Sequence, residues 1–276
     1  MKVPYANVTV NQSGGRLLSG RVALVTGAGG AIGRAVARRL AAEGAAVAAA
    51  GRTERAVEQT RSLVVARGGT AFAFTADLTS STGCHELVDQ STRRFGRLDI
   101  LVNCAGVHGE SPIDEVTEVE WDRLFAVNTK SMFFTLQAAA RVMLPAGGGR
   151  IVNFSSIAGR GFRRSVSAPY VGAKAAVIAI TRLAALRLGP SINVNCVVPG
   201  VTANREYEHR VRARASAGGV DEATARSAME EFIPLHRSNT PDDVAGVVAF
   251  LVSDDARNIT GQSINVDGGL IYDAGY

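Results

Sequence analysis

The feature that most constrains the fold lies near the start of the chain, where an apolar run meets a glycine-rich loop. Residues 21–26 read as a short strand buried on both faces. Residues 27–33 (GAGGAIG) follow, and Ile32, Val36 and Leu40 then recur at helical spacing. In a strand–loop–helix unit, glycines let backbone amides approach a pyrophosphate at the positive end of the helix. The sequence therefore predicts a phosphate-binding loop inside an α/β domain.

The residues at the end of the second predicted strand indicate which dinucleotide would bind. Residues 45–50 read as that strand, and Gly51 and Arg52 follow it. An Asp or Glu at this tip accepts hydrogen bonds from the adenosine ribose and repels a 2′-phosphate. Gly51 supplies no carboxylate, and the guanidinium of Arg52 suits a phosphate. The pattern favours NADP(H) over NAD(H); the alternative is that Arg52 is a solvated surface residue.

Three further strands are predicted, at residues 72–78, 98–102 and 150–154. The third strand carries Asp77 near the expected position of an adenine, and the fifth delivers Ser156 to its carboxyl end. Ligands of open α/β sheets bind at these carboxyl ends. The sheet is therefore expected to bring the polar residues that follow its strands to one edge.

Residues 118–144 show a helical pattern with Asn128 in the interior. Asn is a poor residue for the middle of a helix, so a packing or functional reason is expected. Gly106, which follows the fourth strand, permits close approach of the backbone to a ligand.

Tyr170 and Lys174 lie four residues apart at the start of an apolar helical run, so both side chains share one face. A cation about 4 Å from the phenol in a partly dry cleft contributes up to about 4 kcal/mol. That would lower a tyrosine pKa of about 10 by roughly 3 and make Tyr170 a general acid or base near neutrality. The chain has only three lysines among 30 basic residues, so a lysine at this position indicates a need for a compact charge.

Composition excludes several classes of protein. A chain of 276 residues with 46% hydrophobic content can form one large α/β domain. The net charge is +5, but the arginines are dispersed among acidic residues, which argues against nucleic-acid binding. Four scattered histidines make no metal site, and three cysteines in no paired spacing indicate a reducing compartment. No apolar run reaches the length of a membrane span, and no signal pattern is present, so a cytoplasmic protein is expected.

Several ordered motifs together resemble the short-chain dehydrogenase/reductase family, in particular its 3-oxoacyl-acyl-carrier-protein-reductase-like branch. The resemblance covers about residues 19–270. Its motifs are Thr26-Gly27 with Gly33, Asp77-Leu78, residues 103–106 (NCAG), Asn128, Ser156, Tyr170 with Lys174, Pro199-Gly200, and residues 266–269 (VDGG).

The resemblance implies an α/β fold of one domain: a doubly wound Rossmann fold with a mostly parallel seven-stranded sheet and helices on both faces. Residues 1–19 would form an N-terminal arm, and residues 20–276 the dinucleotide-binding catalytic domain. Residues 202–235 would form a lid over the substrate. A homotetramer is expected by analogy with relatives.

The resemblance also assigns roles. Tyr170 would exchange a proton with the substrate oxygen, and Ser156 would hydrogen-bond that oxygen. Lys174 would hold the nicotinamide ribose and lower the pKa of Tyr170, and Asn128 would support a water that relays protons. The residues expected to contact the cofactor are Gly27, Gly29, Gly30, Ala31, Ile32, Gly33, Arg52, Asp77, Leu78, Asn103, Ala105, Gly106, Tyr170, Lys174, Pro199, Gly200 and Thr202.

Two positions depart from the family pattern. Ala31 stands where the family has the middle glycine of the first loop, which adds a methyl group near the pyrophosphate. Cys104 replaces the second Asn of the family's Asn-Asn-Ala-Gly, and a small buried thiol is the expected role.

The leading hypothesis is an NADP(H)-dependent carbonyl reductase or secondary-alcohol dehydrogenase. The first alternative is a 3-oxoacyl-acyl-carrier-protein reductase, although residues 146–149 and 189–191 lack the arginines that carrier-protein reductases tend to place there. A cofactor-sensing or scaffolding protein on the same fold is the second alternative, disfavoured because Ser156, Tyr170 and Lys174 are all present. Arginines of the loop before Tyr170 (Arg163, Arg164) and of the lid (Arg205, Arg210, Arg212, Arg214) either meet an anionic substrate or form a solvated face.

Overall fold

A computed structural model describes residues 16–161 and 167–271. Its centre is one seven-stranded sheet in the order β3-β2-β1-β4-β5-β6-β7, in which every neighbouring pair is parallel. The strands are β1 Val22–Thr26, β2 Ala46–Gly51, β3 Ala71–Thr75, β4 Ile100–Asn103, β5 Gly149–Phe154, β6 Ile192–Pro199 and β7 Ser263–Val266. The predicted parallel sheet is confirmed.

Helices cover both faces of the sheet, as a doubly wound fold requires. They are α1 Ala31–Ala42, α2 Glu54–Val65, α3 Ser81–Phe95, α4 Glu118–Phe125, α5 Ser131–Met143, α6 Ala168–Leu188, α7 Arg205–Gly218, α8 Glu222–Glu230 and α9 Pro241–Val252. Successive strand residues point to opposite faces. Val25 accordingly packs in one core with Val36 of α1 and Val248 of α9. Its neighbour Leu24 packs in the other core with residues of α5 and α6.

The order of the strands reverses between β1 and β4. Strands β2 and β3 extend the sheet from one side of β1, and β4 with the later strands extends it from the other side. The loops that leave β1 and β4 therefore diverge and open a crevice at the carboxyl ends of the strands. The predicted phosphate-binding loop follows β1, and residues 104–106 follow β4, so both border this crevice.

The helix predicted over residues 118–144 is confirmed over residues 118–143, but a π-helical turn at Ala126–Lys130 interrupts its regular α-helical ladder. The cause lies at Asn128, whose side-chain amide donates to the carbonyl of Leu124 at 2.9 Å. An asparagine side chain that competes for a helix carbonyl disrupts the regular backbone ladder. Such π-turns occur frequently at functional sites.

The third strand ends earlier than predicted, at Thr75, so Asp77 and Leu78 lie in the loop that follows. The Asp77 carboxylate accepts from the backbone amide of Thr79 at 3.0 Å and from its hydroxyl at 2.9 Å. An aspartate that bonds the backbone two residues ahead stabilises a turn rather than a strand.

The predicted lid contains two helices, α7 and α8, with a small core of their own. Tyr207, Val211, Ala215 and Ala225 form this core. The hydroxyl of Tyr207 donates to the Glu230 carboxylate at 2.8 Å. The lid therefore has internal packing separate from the two cores that flank the sheet.

Within the described ranges, no helix is both long and apolar enough to cross a membrane.

The packed domain begins before residue 20. Residues 1–15 of the predicted arm lie outside the described residues. Leu18 is fully buried in the core that contains α1, and its amide donates to the carbonyl of Glu43 at 2.8 Å. The neighbouring side chain of Leu17 is 53% exposed. The expected arm therefore overlaps the domain at its carboxyl end.

These two leucines provide a matched test of the boundary. Leu18→Ala should lower the free energy of unfolding by about 2–4 kcal/mol, because it leaves a cavity in the core. Leu17→Ala should change it by less than about 0.5 kcal/mol. Urea unfolding followed by circular dichroism measures both; similar small effects would show that residue 18 belongs to a loose arm.

Candidate active site

A cleft of about 720 Å³ opens along the carboxyl edge of the sheet. A volume in this range accommodates a cofactor-sized ligand. The loops after β1, β2, β3, β4, β5 and β6 and the helices of the predicted lid line it. The predicted site residues in its lining are Gly27, Gly29, Gly30, Ala31, Ile32, Gly33, Arg52, Asp77, Leu78, Ala105, Gly106, Asn128, Ser156, Tyr170, Lys174, Pro199, Gly200 and Thr202.

Gly27 and Gly33 of the first loop stand where no side chain fits. Gly27 has φ +67°, and a Cβ there would lie 2.8 Å from the Cα of Ala105. A Cβ on Gly33 would collide with the carbonyl oxygen of Gly27. Ala31, by contrast, is the first residue of α1 and carries its methyl group at the wall of the cleft. The loop thus presents bare backbone at the amino end of α1, which fits a pyrophosphate.

Lys174 is the buried cation of the site. Its side chain is 5% exposed, and Nζ donates to the carbonyl of Phe154 at 3.1 Å. The backbone carbonyl of Lys174 in turn accepts from the hydroxyl of Ser155 at 2.7 Å. Burial lowers the pKa of Lys174 to about 8, because a charged ammonium is disfavoured away from water. The cation is therefore fixed to the end of β5.

Tyr170 and Ser156 meet across the cleft. Ser156 begins a 3₁₀ turn at Ile157–Arg160, where its Oγ accepts from the amide of Ala158 at 3.2 Å. Burial raises the pKa of Tyr170 above its usual value, the hydrogen bond with Ser156 lowers it in part, and the Glu206 carboxylate raises it further. The phenol is thus a protonated acid at neutral pH.

This direction contradicts the sequence argument, in which the charge of Lys174 lowers the pKa of Tyr170. Both side chains do lie on one face of α6 and line the same cleft. Nζ of Lys174, however, lies 5.9 Å from the centre of the Tyr170 ring and is bonded to Phe154. At this distance the loss of hydration outweighs the attraction between the two groups.

Asn128 clamps the loop that follows β4. Its Oδ1 accepts from the amide of Val107 at 3.1 Å, and its Nδ2 donates to the carbonyl of the same residue at 3.0 Å. A Cβ on Gly106 would lie 2.9 Å from that Oδ1 and 3.2 Å from Nζ of Lys174. The π-turn therefore holds the wall of the cleft beside Lys174. An amide oxygen has two lone pairs, so Oδ1 keeps capacity for a water.

Asn103 differs from the other predicted cofactor contacts. Its side chain is 3% exposed and donates to the carbonyl of Met132 at 3.3 Å and to Oδ1 of Asn153 at 3.0 Å. It joins β4 to β5 and α5 and is absent from the lining of the cleft. Its side chain therefore supports the sheet rather than the ligand.

The free thiol of Cys104 is unreactive, as expected. Burial raises its pKa to about 12, so it carries no reactive thiolate at physiological pH.

The cleft also includes residues that the sequence argument missed. His108 lies on the loop after Gly106, and Glu206 lies in the first turn of α7. No spacing rule marks a histidine two residues after a glycine. The lid arginines are divided between the two predicted roles. Arg210 lines the cleft, whereas Arg205, Arg212 and Arg214 are exposed and outside its lining. Arg163 and Arg164 lie outside the described residues.

This combination of a bare phosphate loop, a switch-point cleft and a Ser–Tyr–Lys cluster defines a dinucleotide-dependent oxidoreductase. Comparison with known proteins identifies the family. A family model described as enoyl-(acyl carrier protein) reductase matches residues 27–271. The (3R)-3-hydroxyacyl-CoA dehydrogenase of Mus musculus is 39% identical over 266 residues, with 92% of this chain and 97% of that protein covered.

Two further relatives extend the comparison. Galactitol 2-dehydrogenase of Agrobacterium fabrum is 37% identical over 254 residues, which cover 91% of this chain and 98% of that protein. The crystal structure of a short-chain type dehydrogenase/reductase from Mycobacterium marinum has a TM-score of 0.83 and 32% identity, with 92% of this chain and 96% of that chain covered.

The chain therefore belongs to the short-chain dehydrogenase/reductase family. It is an oxidoreductase of that family, and membership implies a nicotinamide cofactor. The residues present fit such a group, since Gly27 and Gly33 line the cleft at positions that admit no side chain and the buried Lys174 borders the same cleft.

Proposed function

We propose that the protein is an NADP(H)-dependent carbonyl reductase or secondary-alcohol dehydrogenase. The observation that carries the proposal is the meeting of Ser156, Tyr170 and Lys174 in the cleft that begins at the glycine loop. A sensing or scaffolding protein needs a bound dinucleotide but no acid/base group. The complete cluster therefore favours an enzyme.

The residues divide the chemistry among themselves. The bound nicotinamide supplies or accepts the hydride. During reduction, the hydroxyl of Tyr170 donates its proton to the substrate oxygen. Ser156 donates a hydrogen bond to the same oxygen as negative charge develops there. The ammonium of Lys174 adds positive charge beneath that oxygen at pH values below its pKa of about 8. Burial is the main cause of the raised pKa of Tyr170, and a raised pKa suits the role of proton donor.

The cofactor preference rests on the tip of β2. Gly51, Arg52 and Thr53 line the cleft there, and Arg52 is an exposed guanidinium. The hydroxyl of Thr53 makes no capping bond to α2, so it is available to a ligand. An arginine and a hydroxyl follow β2 at a tip where Gly51 supplies no carboxylate, which supports recognition of a 2′-phosphate.

The names of the relatives suggest two kinds of secondary alcohol, a hydroxyacyl thioester and a polyol. A 3-oxoacyl-acyl-carrier-protein reductase stays the alternative function. The cytoplasmic location stays a prediction of the sequence, and the homotetramer stays a prediction of the family resemblance.

Tyr170→Phe should reduce kcat by about 10²–10⁴-fold, since it removes the acid/base hydroxyl and keeps the ring. Steady-state rates are measured from the absorbance of the reduced nicotinamide. Unchanged cofactor affinity and thermal midpoint serve as the control for folding. A variant that kept more than about a tenth of the rate would show that Tyr170 is not the proton donor.

Arg52→Ala should weaken NADPH binding by about tenfold or more and leave NADH binding nearly unchanged, because only NADPH carries the 2′-phosphate. Arg55→Ala is the matched control: Arg55 is an exposed arginine of α2 outside the cleft. The measurement is the dissociation constant of NADPH and of NADH for the unmodified protein and for each variant. Equal constants for NADPH and NADH on the unmodified protein would contradict the preference.

The opposite substitution, Gly51→Asp, is a less clean test. A Cβ on Gly51 would lie 2.9 Å from Cγ1 of Val57, which is buried. A carboxylate there would strain the packing of α2 as well as repel a phosphate.

A further inference from the structure

Four charged or titratable side chains meet at the mouth of the cleft, beyond Tyr170. His108 and Glu110 lie on the loop after β4, and Glu206 and Arg210 lie on lid helix α7. Polar atoms of His108, Glu110 and Glu206 all lie within 4.8 Å of one another. Nδ1 of His108 is 3.5 Å from Oε1 of Glu110, and that oxygen is 3.9 Å from Nη1 of Arg210. This cluster joins the fixed wall of the cleft to the lid.

His108 lies directly beside the proposed acid. The centre of its ring is 4.6 Å from that of Tyr170, and the two planes are tilted by 57°. A carboxylate oxygen of Glu206 lies within 4.8 Å of a ring nitrogen of His108, which places Glu206 on the same side of Tyr170. Both His108 and Glu206 line the cleft. A group bound to the carbon next to the reacting carbon would therefore face these two side chains.

The backbone on both sides of His108 is held in place. The amide and the carbonyl of Val107 both bond to Asn128, at 3.1 and 3.0 Å. The carbonyl of Gly109 accepts from the amide of Ser167, at the start of α6, at 2.9 Å. A Cβ on Gly109 would lie 2.6 Å from Cδ1 of Leu124. The backbone that carries His108 is therefore fixed, and its exposed ring lies against Tyr170 and Glu110.

The chemistry of the pair selects the substrate group. A carboxylate such as Glu206 only accepts hydrogen bonds, and a neutral imidazole offers one donor and one acceptor. A substrate hydroxyl donates and accepts, so it can satisfy both side chains at once. An acyl thioester places only a methylene group next to its reacting carbon, so it removes water from the two side chains without offering a hydrogen bond to either, which costs free energy.

We propose that His108 and Glu206 form a recognition pair for a hydroxyl group on the carbon adjacent to the reacting carbon. The preferred substrates are then vicinal diols in oxidation and α-hydroxy ketones in reduction. This inference rests on the proposed function, because it assumes that Tyr170 acts on the reacting oxygen.

The test compares the vicinal butanediol with sec-butanol as substrates, and adds 3-hydroxybutyryl-CoA as the thioester. The ratio of kcat/KM for the diol to that for the monoalcohol is the readout. We expect the unmodified protein to prefer the diol by about tenfold or more, the effect of one hydrogen-bonded hydroxyl. His108→Leu and Glu206→Leu should each bring the ratio close to one, and His108→Gln should recover part of it.

Two variants outside the cleft control for damage to the lid. His209→Leu changes an exposed histidine of α7, and Glu222→Leu changes an exposed carboxylate of α8. Neither residue lines the cleft. Both should keep the ratio of the unmodified protein, because general damage lowers the two rates together.

Three results would overturn the recognition pair while the proposed function stands: a ratio near one in the unmodified protein, a ratio unchanged in either leucine variant of the pair, or a preference for the thioester over the diol. Failure of all three substrates with both cofactors would instead overturn the proposed function, and the recognition pair with it.

Discussion

The site depends on a lysine ammonium buried at the end of a β-strand. An ionised group away from water is costly unless it has a close polar partner. Lys174 has that partner in the carbonyl of Phe154, the last residue of β5, at 3.1 Å. Two glycines allow the surrounding backbone to pack closely against Lys174. A Cβ on Gly159 would lie 2.6 Å from the Lys174 carbonyl carbon, and one on Gly106 would lie 3.2 Å from Nζ. The side chains of Lys174 and Ser155 thus join the carboxyl edge of the sheet to α6.

The proton chemistry follows from the same arrangement. Because the ammonium bonds to the strand, it stays 5.9 Å from the centre of the Tyr170 ring, and burial rather than charge decides the direction of the tyrosine pKa. The phenol is kept protonated, as reduction of a carbonyl requires, and the lid adds a second influence through Glu206. Glu206 of the predicted lid therefore lines the cleft and also affects the pKa of the acid. The lid keeps its own small core around Tyr207, so this carboxylate is presented by an ordered element.

Much of the fold was predictable because it depends on local patterns. The apolar runs of the strands, the glycine loop and the Tyr–Lys spacing are periodic or short-range features, and the structure places them as expected. The π-turn at Asn128 was not predictable, since it arises when one side chain competes for the Leu124 carbonyl. The direction of the Tyr170 pKa depends on a distance that four-residue spacing leaves open. His108 belongs to no motif, and only the folded loop brings its ring to Tyr170.

The most direct test of this account is the titration of Lys174. The chain contains three lysines, so side-chain NMR of isotopically labelled lysine gives few resonances, and the signal lost in Lys174→Met assigns the catalytic one. The account predicts that this resonance titrates near pH 8, because burial lowers the pKa of Lys174 to about 8. Titration near the ordinary lysine value of about 10.4 would contradict it, since the ammonium would then be solvated and not fixed to the end of β5.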